Sequence, residues 1–76
     1  MILPTKYLNS DETLIGVGNL IIRNISSSIP LSTLWEKVKK NENVYNFERF
    51  LLTLDMLFII GIIDLDNENN IIKVKQ

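Results

Sequence analysis

The alternation of apolar and polar residues predicts three helices followed by a β-hairpin. In the segments 11–24 and 33–40, apolar side chains recur at spacings of three and four, which is the period of an amphipathic helix. The segment 47–60 is apolar nearly all round and is also long enough for a helix. From Ile63 onward the period falls to two, and a polar loop at 67–70 divides the two strands of the predicted hairpin.

Residues suited to helix ends mark the predicted boundaries. Ser10, Ser32 and Asn46 each precede a helical segment, where a side-chain oxygen accepts a hydrogen bond from an unpaired backbone N–H. Gly61 follows the third segment and suits the left-handed residue that ends a helix. The first helix is therefore expected over 11–24.

The register of the hairpin is predicted from its side chains. One face of the two strands should carry all the apolar residues and the other face the charged ones. That requirement pairs Leu65 with Ile72, Ile63 with Val74 and Asp64 with Lys73.

The third helix has more apolar residues than one buried stripe needs. A helix that is apolar on several sides is usually covered on several sides, and a short chain cannot supply that cover itself. The outward positions Leu52, Met56 and Ile59, together with Arg49, are therefore predicted to bind a protein partner. The positions predicted to face the core are Phe47, Phe50, Leu51, Leu54, Leu57 and Phe58.

The residues before the first helix are predicted to form an arm. Residues 1–9 form this arm and residues 10–76 form the domain. The apolar side chains Ile2, Leu3 and Tyr7 are candidates for packing against the domain or for binding a partner. The sequence leaves both alternatives open.

Composition narrows the classes of function. The 76 residues include neither cysteine nor histidine, which removes the commonest nucleophiles, general bases and metal ligands, so we expect neither catalysis nor a cofactor. The formal net charge of −1 does not favour nucleic acid as the main partner. The longest apolar run is shorter than the roughly 20 residues of a membrane span, and no signal peptide is evident. These features predict a cytoplasmic protein.

The order of the elements is that of an α+β winged helix-turn-helix domain, with three helices and a C-terminal hairpin as the wing. A three-helix bundle with a loosely attached hairpin is the alternative. A DNA-reading third helix presents polar side chains to base edges, but only Asn46, Arg49 and Thr53 are available here. The lysines late in the second helix are candidate DNA contacts, although such lysines more often stabilise the helix dipole. They are Lys37, Lys39 and Lys40.

Three segments resemble the small middle component of bacterial ABC-three-component systems, a group that includes Lamassu-type anti-phage defence. The segments are Met1–Tyr7, with its aliphatic-Leu-Pro-x-Lys pattern, Leu31–Lys37 in the second helix, and Phe47–Ile63 in the third helix and wing. The resemblance implies a winged-helix subunit without catalytic activity. Its partners would be an SMC/Rad50-like ABC ATPase and an effector, often a nuclease, and DNA would be sensed mainly by the ATPase.

Three functions remain open from the sequence. The first is a protein-docking subunit that bridges or restrains the ATPase and the effector. The second is a small DNA-binding regulator, and the third is a homo-oligomer that buries its apolar face against its own copy.

Overall fold

The computed structural model describes residues 13–74, which form three helices and a three-stranded antiparallel sheet. This confirms the predicted α+β class. The arm at 1–9, with Ile2, Leu3 and Tyr7, lies outside the described residues. In chain order the elements are α1 (Leu14–Arg23), β1 (Ser28–Ile29), α2 (Leu31–Val38), α3 (Phe47–Ile59), β2 (Ile63–Leu65) and β3 (Ile71–Lys73).

The first two helices begin at other residues than predicted. The side chain of Thr13 accepts a hydrogen bond from the Gly16 N–H at 3.1 Å, so Thr13 is the N-cap of α1 and the predicted start at residue 11 is wrong. Helix α2 follows Pro30, which makes no side-chain cap, so the predicted cap at Ser32 is also wrong. Proline before a helix supplies a fixed φ rather than a hydrogen bond, and the serine then falls inside the first turn.

Both predicted ends of α3 are confirmed. The Asn46 side chain accepts a hydrogen bond from the Arg49 N–H at 2.8 Å. At the other end Gly61 has φ 83, and the N–H groups of Gly61 and Ile62 donate to the carbonyls of Phe58 and Leu57. This pair of bonds is a Schellman motif, which satisfies the last carbonyls of the helix.

The sheet contains one strand more than the predicted hairpin, because β1 pairs with β3 and gives the order β1-β3-β2. The predicted register of the hairpin is wrong by one residue. In the structure Leu65 faces Ile71, Asp64 faces Ile72 and Ile63 faces Lys73.

The loop of the hairpin explains this register. It has three residues, 67–69, because the Asp66 N–H donates to the Asn70 carbonyl and the Asn69 N–H donates to the Asp66 carbonyl. Asn69 has φ 64, and a left-handed third residue is typical of a three-residue hairpin loop. Ile71 therefore takes the buried position that the alternation of side chains had assigned to Ile72.

The core lies between the helices and the inner face of the sheet. Helix α3 contributes Phe50, Leu54 and Leu57, as predicted, whereas Phe47 and Leu51 are partly exposed. Phe47 instead packs edge-on against Trp35 of α2, with ring centroids 5.1 Å apart. The other buried apolar residues are Val17, Ile21, Ile25, Ile29, Leu34, Val38, Val44, Ile63 and Ile71.

Candidate protein-binding surface

Two apolar side chains on the outward side of α3 are largely exposed. Leu52 exposes 56% of its surface and Ile59 exposes 83%. They are seven residues apart, which places them on one face two turns from each other. The N-cap of Asn46 and the Schellman motif fix both ends of the helix, so the backbone that carries these residues is well defined. This position agrees with the helical spacing read from the sequence.

Met56 is less exposed than the sequence predicted. It is half-buried and packs against the core, at the line where α3 meets α1. Gly18 of α1 is buried at this line, and a Cβ atom placed on it would lie 3.5 Å from Met56 Cε and 3.4 Å from Leu57 Cδ2. A methyl group at this position would be in ordinary van der Waals contact with α3, so the two helices pack closely here, and Met56 covers the contact rather than standing free on the surface.

An apolar groove of about 120 Å³ runs between α1 and α3. Ile15 and Ile22 line it from α1, and Met56 and Ile60 line it from α3 and its end. Ile15 and Ile60 are 49% and 58% exposed, so the groove opens to solvent along both helices. Leu52 and Ile59 together with this groove are here called the docking surface. The contribution of α1 was not predicted, although Ile15 and Ile22 share the seven-residue spacing of one helical face.

Arg49 has a structural role. Its Nε donates a hydrogen bond to the Asn43 carbonyl at 3.1 Å, and the side chain is half-buried. The bond ties the first turn of α3 to the turn that precedes the helix. The sequence predicted Arg49 as a partner contact, and the structure shows in addition that this bond holds its side chain against the preceding turn.

Tyr45 is a surface residue that was not predicted from the sequence. It is 82% exposed and has φ 72, a conformation that residues with a side chain adopt rarely. It shares a hollow of about 340 Å³ with Leu14, Glu48 and Leu52, at the N-terminal end of α3. Tyrosine is enriched at protein–protein contacts, and this one extends the docking surface. Tyr45 lies in a turn, so the regular spacing of apolar residues along a helix could not reveal it.

Thr53 does not face outward. Its side chain is fully buried and its hydroxyl donates to the Arg49 carbonyl at 2.8 Å. The residue therefore cannot contact a base edge, and the interpretation of Thr53 as a candidate base reader is wrong. Of the three polar positions considered, Asn46 accepts its capping bond and Arg49 donates to Asn43.

The chain matches the family model of the ABC-three component (ABC-3C) system Middle Component 6 over residues 3–74. The chain belongs to this family. No curated protein and no solved structure matches it. Membership confirms the predicted resemblance to a middle component of an ABC-three-component defence system, which works together with the other components of such a system.

In this Middle Component 6 chain, the predicted DNA contacts lie on a different helix from the two that form the docking surface. Lys37, Lys39 and Lys40, here called the α2 lysine cluster, are exposed at the end of α2. Lys39 Nζ lies 2.7 Å from Glu36 Oε1, an exposed pair within one helical turn. The exposure of the cluster is compatible with both interpretations of these lysines, as DNA contacts or as a solvated helix end.

In the hairpin, the charged side chains are not arranged as the sequence predicted. Across the two strands Lys73 pairs with Ile63, and Asp64 pairs with Ile72. Because successive side chains of a strand alternate between its two sides, Asp64 and Lys73 lie on opposite sides of the sheet. The Asp64 carboxylate instead accepts a bond from the Leu65 N–H at 2.7 Å. The predicted pairing of aspartate with lysine in the hairpin is therefore wrong. Along the described part of the chain, no helix is long and apolar enough to cross a bilayer.

Proposed function

We propose that this chain is a non-catalytic docking subunit of an anti-phage defence complex. It bridges or restrains an SMC/Rad50-like ABC ATPase and an effector nuclease through protein–protein contacts in the cytoplasm. The docking surface carries the proposal. Leu52 and Ile59 stand exposed on α3, where a DNA-reading helix would place polar groups.

The family match supports the general class of this function, since a middle component works with other components of its system. The Lamassu-type assignment, the ATPase and the nuclease rest on the sequence resemblance of the segments at 1–7, 31–37 and 47–63. The absence of cysteine and histidine from the sequence supports a role without catalysis.

We further propose that the domain is a winged helix. The element order α1-β1-α2-α3-β2-β3 and the pairing of β1 with β3 support this assignment. In that fold α3 is the recognition helix and the hairpin is the wing. Here the recognition helix has an apolar outward side, which suits a protein partner better than a base edge. In this proposal the ATPase, rather than this subunit, makes the main contact with DNA.

The test is co-purification of the chain with the other components of its own system. The variant Leu52→Ala/Ile59→Ala removes apolar contact from α3 without adding charge, and alanine favours the helix. A matched control is Leu31→Ala/Leu65→Ala, whose side chains are 38% and 46% exposed on α2 and β2. The proposal predicts that the first variant folds but loses its partner, while the control keeps it. Retention of the partner by the folded first variant would refute the proposal.

A further inference from the structure

Two carboxylates run beside the exposed apolar residues of α3. Glu48 and Asp55 are exposed and seven residues apart, the same spacing as Leu52 and Ile59. Seven residues of helix rise by about 10.5 Å. The outward side of α3 therefore carries an acidic row and an apolar row that run side by side over two turns.

The presence of an aspartate at position 55 is not explained by a gain in helix stability. Glu48 lies in the first turn, where a carboxylate favours the helix dipole. Asp55 lies in the middle of α3, where aspartate is a poor helix former. Its neighbours three and four residues away are Leu51, Leu52, Phe58 and Ile59, so it has no basic partner along the helix.

A basic side chain, Arg49, lies at the N-terminal end of this surface and lines the hollow that Tyr45, Glu48 and Leu52 share. Arg49 is the basic residue of α3, and it is half-buried with its Nε bonded to the Asn43 carbonyl. Arg23 of α1 lines a separate hollow beside Asn43. The α2 lysine cluster and Lys73 belong to other elements. Apart from Arg49 at its N-terminal end, the docking surface is thus apolar, with Glu48 and Asp55 along one border.

From this arrangement we propose that the occupant of the docking surface is a basic amphipathic helix of a partner subunit. Its apolar side chains fill the groove between α1 and α3, and its Lys or Arg side chains face Glu48 and Asp55. The 13 residues of α3 are about 20 Å long, which matches a partner helix of three to four turns. The inference rests on the proposed docking function and specifies the chemistry of the partner.

A second copy of the chain fits the surface poorly. In a two-fold dimer the same patch meets itself, so the acidic row of one copy would lie against the acidic row of the other. Like charges in contact disfavour association. The twelve residues before Thr13 also lack complementarity, since they contain Lys6 as their basic residue beside Asp11 and Glu12.

The test reverses the acidic row and measures the affinity for the co-purifying component. In Glu48→Lys/Asp55→Lys we expect the dissociation constant to rise by about tenfold or more at low salt, because two attractive contacts become repulsive. We also expect its dependence on salt to weaken or change sign. The control Glu36→Lys/Glu68→Lys makes the same change of net charge at exposed positions on α2 and in the hairpin loop, outside the docking surface, and should bind like the parent chain.

A carbodiimide, which joins carboxylates to nearby lysine amines, identifies the contact in the parent complex. Mass spectrometry should find Glu48 or Asp55 linked to lysines of a helical partner segment. Unchanged affinity after charge reversal, with Leu52→Ala/Ile59→Ala still impaired, would overturn the basic helix and leave the docking function standing. If neither variant impairs binding, the docking function itself fails. Self-association through this face, or tighter partner binding after deletion of residues 1–12, would identify another occupant and also overturn the proposal.

Discussion

Replacing Gly18 by alanine tests the close packing of α1 on α3 that shapes the docking surface. The added Cβ would lie 3.4 Å from Leu57 Cδ2, 3.5 Å from Met56 Cε and 3.8 Å from Thr53 Cγ2. These are ordinary van der Waals distances, and the two nearest atoms are the ends of flexible side chains. Alanine is favoured over glycine within a helix by about 1 kcal/mol. We therefore expect Gly18→Ala to raise the free energy of unfolding by about 1 kcal/mol.

Chemical denaturation followed by circular dichroism measures this change directly, and for a domain of this size it corresponds to a rise in Tm of about 4–8 °C. The exposed neighbour Asn19 supplies the control, since Asn19→Ala changes helix propensity without entering the contact and should add about 0.5 kcal/mol. A larger side chain at position 18 should instead lower the free energy of unfolding. Gly18→Val overfills the contact and should cost about 1–3 kcal/mol.

A loss of stability in Gly18→Ala would refute the reasoning. It would mean that the two helix backbones are closer than the described distances allow, with no room for a methyl group. In that case Met56 and Leu57 would be held too firmly to move, and the groove above them would have a different shape from the one described.

Three other features of the domain give predictions of their own. Asp66→Ala removes the Oδ1 acceptor of the Glu68 and Asn70 N–H groups, both at 2.9 Å, and should lower the free energy of unfolding by about 1–2 kcal/mol in denaturation experiments. Tyr45→Asn eases the left-handed backbone at φ 72, so we expect equal or higher stability, by up to about 1 kcal/mol, but weaker partner binding by calorimetry. Alanine substitution of the whole α2 lysine cluster should leave partner affinity unchanged, and the isolated chain should show no DNA binding by fluorescence anisotropy at about 50 mM salt. Strong, salt-dependent DNA binding that the cluster variant loses would instead favour the DNA-binding regulator.

The sequence predicted those elements whose ends depend on one local residue. Asn46 and Gly61 mark the two ends of α3. Both ends were predictable because a capping oxygen and a left-handed glycine act on backbone groups only a few residues away. The caps of α1 and α2 were misplaced because Ser10 and Ser32 have competitors nearby. Thr13 is as suitable a cap as Ser10 by residue type. Pro30 begins α2 through its fixed φ without any side-chain cap, so a search for capping side chains alone selects Ser32 instead.

The register of the hairpin was wrong because two neighbouring isoleucines satisfy the same alternation. Either Ile71 or Ile72 can face the core, and the choice depends on whether the loop has three or four residues. The left-handed Asn69 and the Asp66 side chain select the three-residue loop. Both residue types were visible in the sequence, so reasoning from the turn rather than from the strands would have placed Ile71 inward.

The docking surface was predictable only in part. Leu52 and Ile59 follow from the period of a single helix, and they are exposed as predicted. Met56 and Thr53 lie where α3 meets other parts of the domain, and their burial depends on how closely α1 approaches. A period within one helix carries no information about that distance.

Oxidative footprinting of the chain, alone and with the other components of its system, tests the docking surface most directly. The method reports the solvent exposure of individual side chains, and Leu52, Ile59 and Tyr45 are all more than half exposed in the free chain. We predict that these three side chains become protected in the complex, while Leu31 and Leu65 on other elements keep their reactivity. Unchanged labelling of Leu52 and Ile59 in a complex that has formed would contradict the docking function.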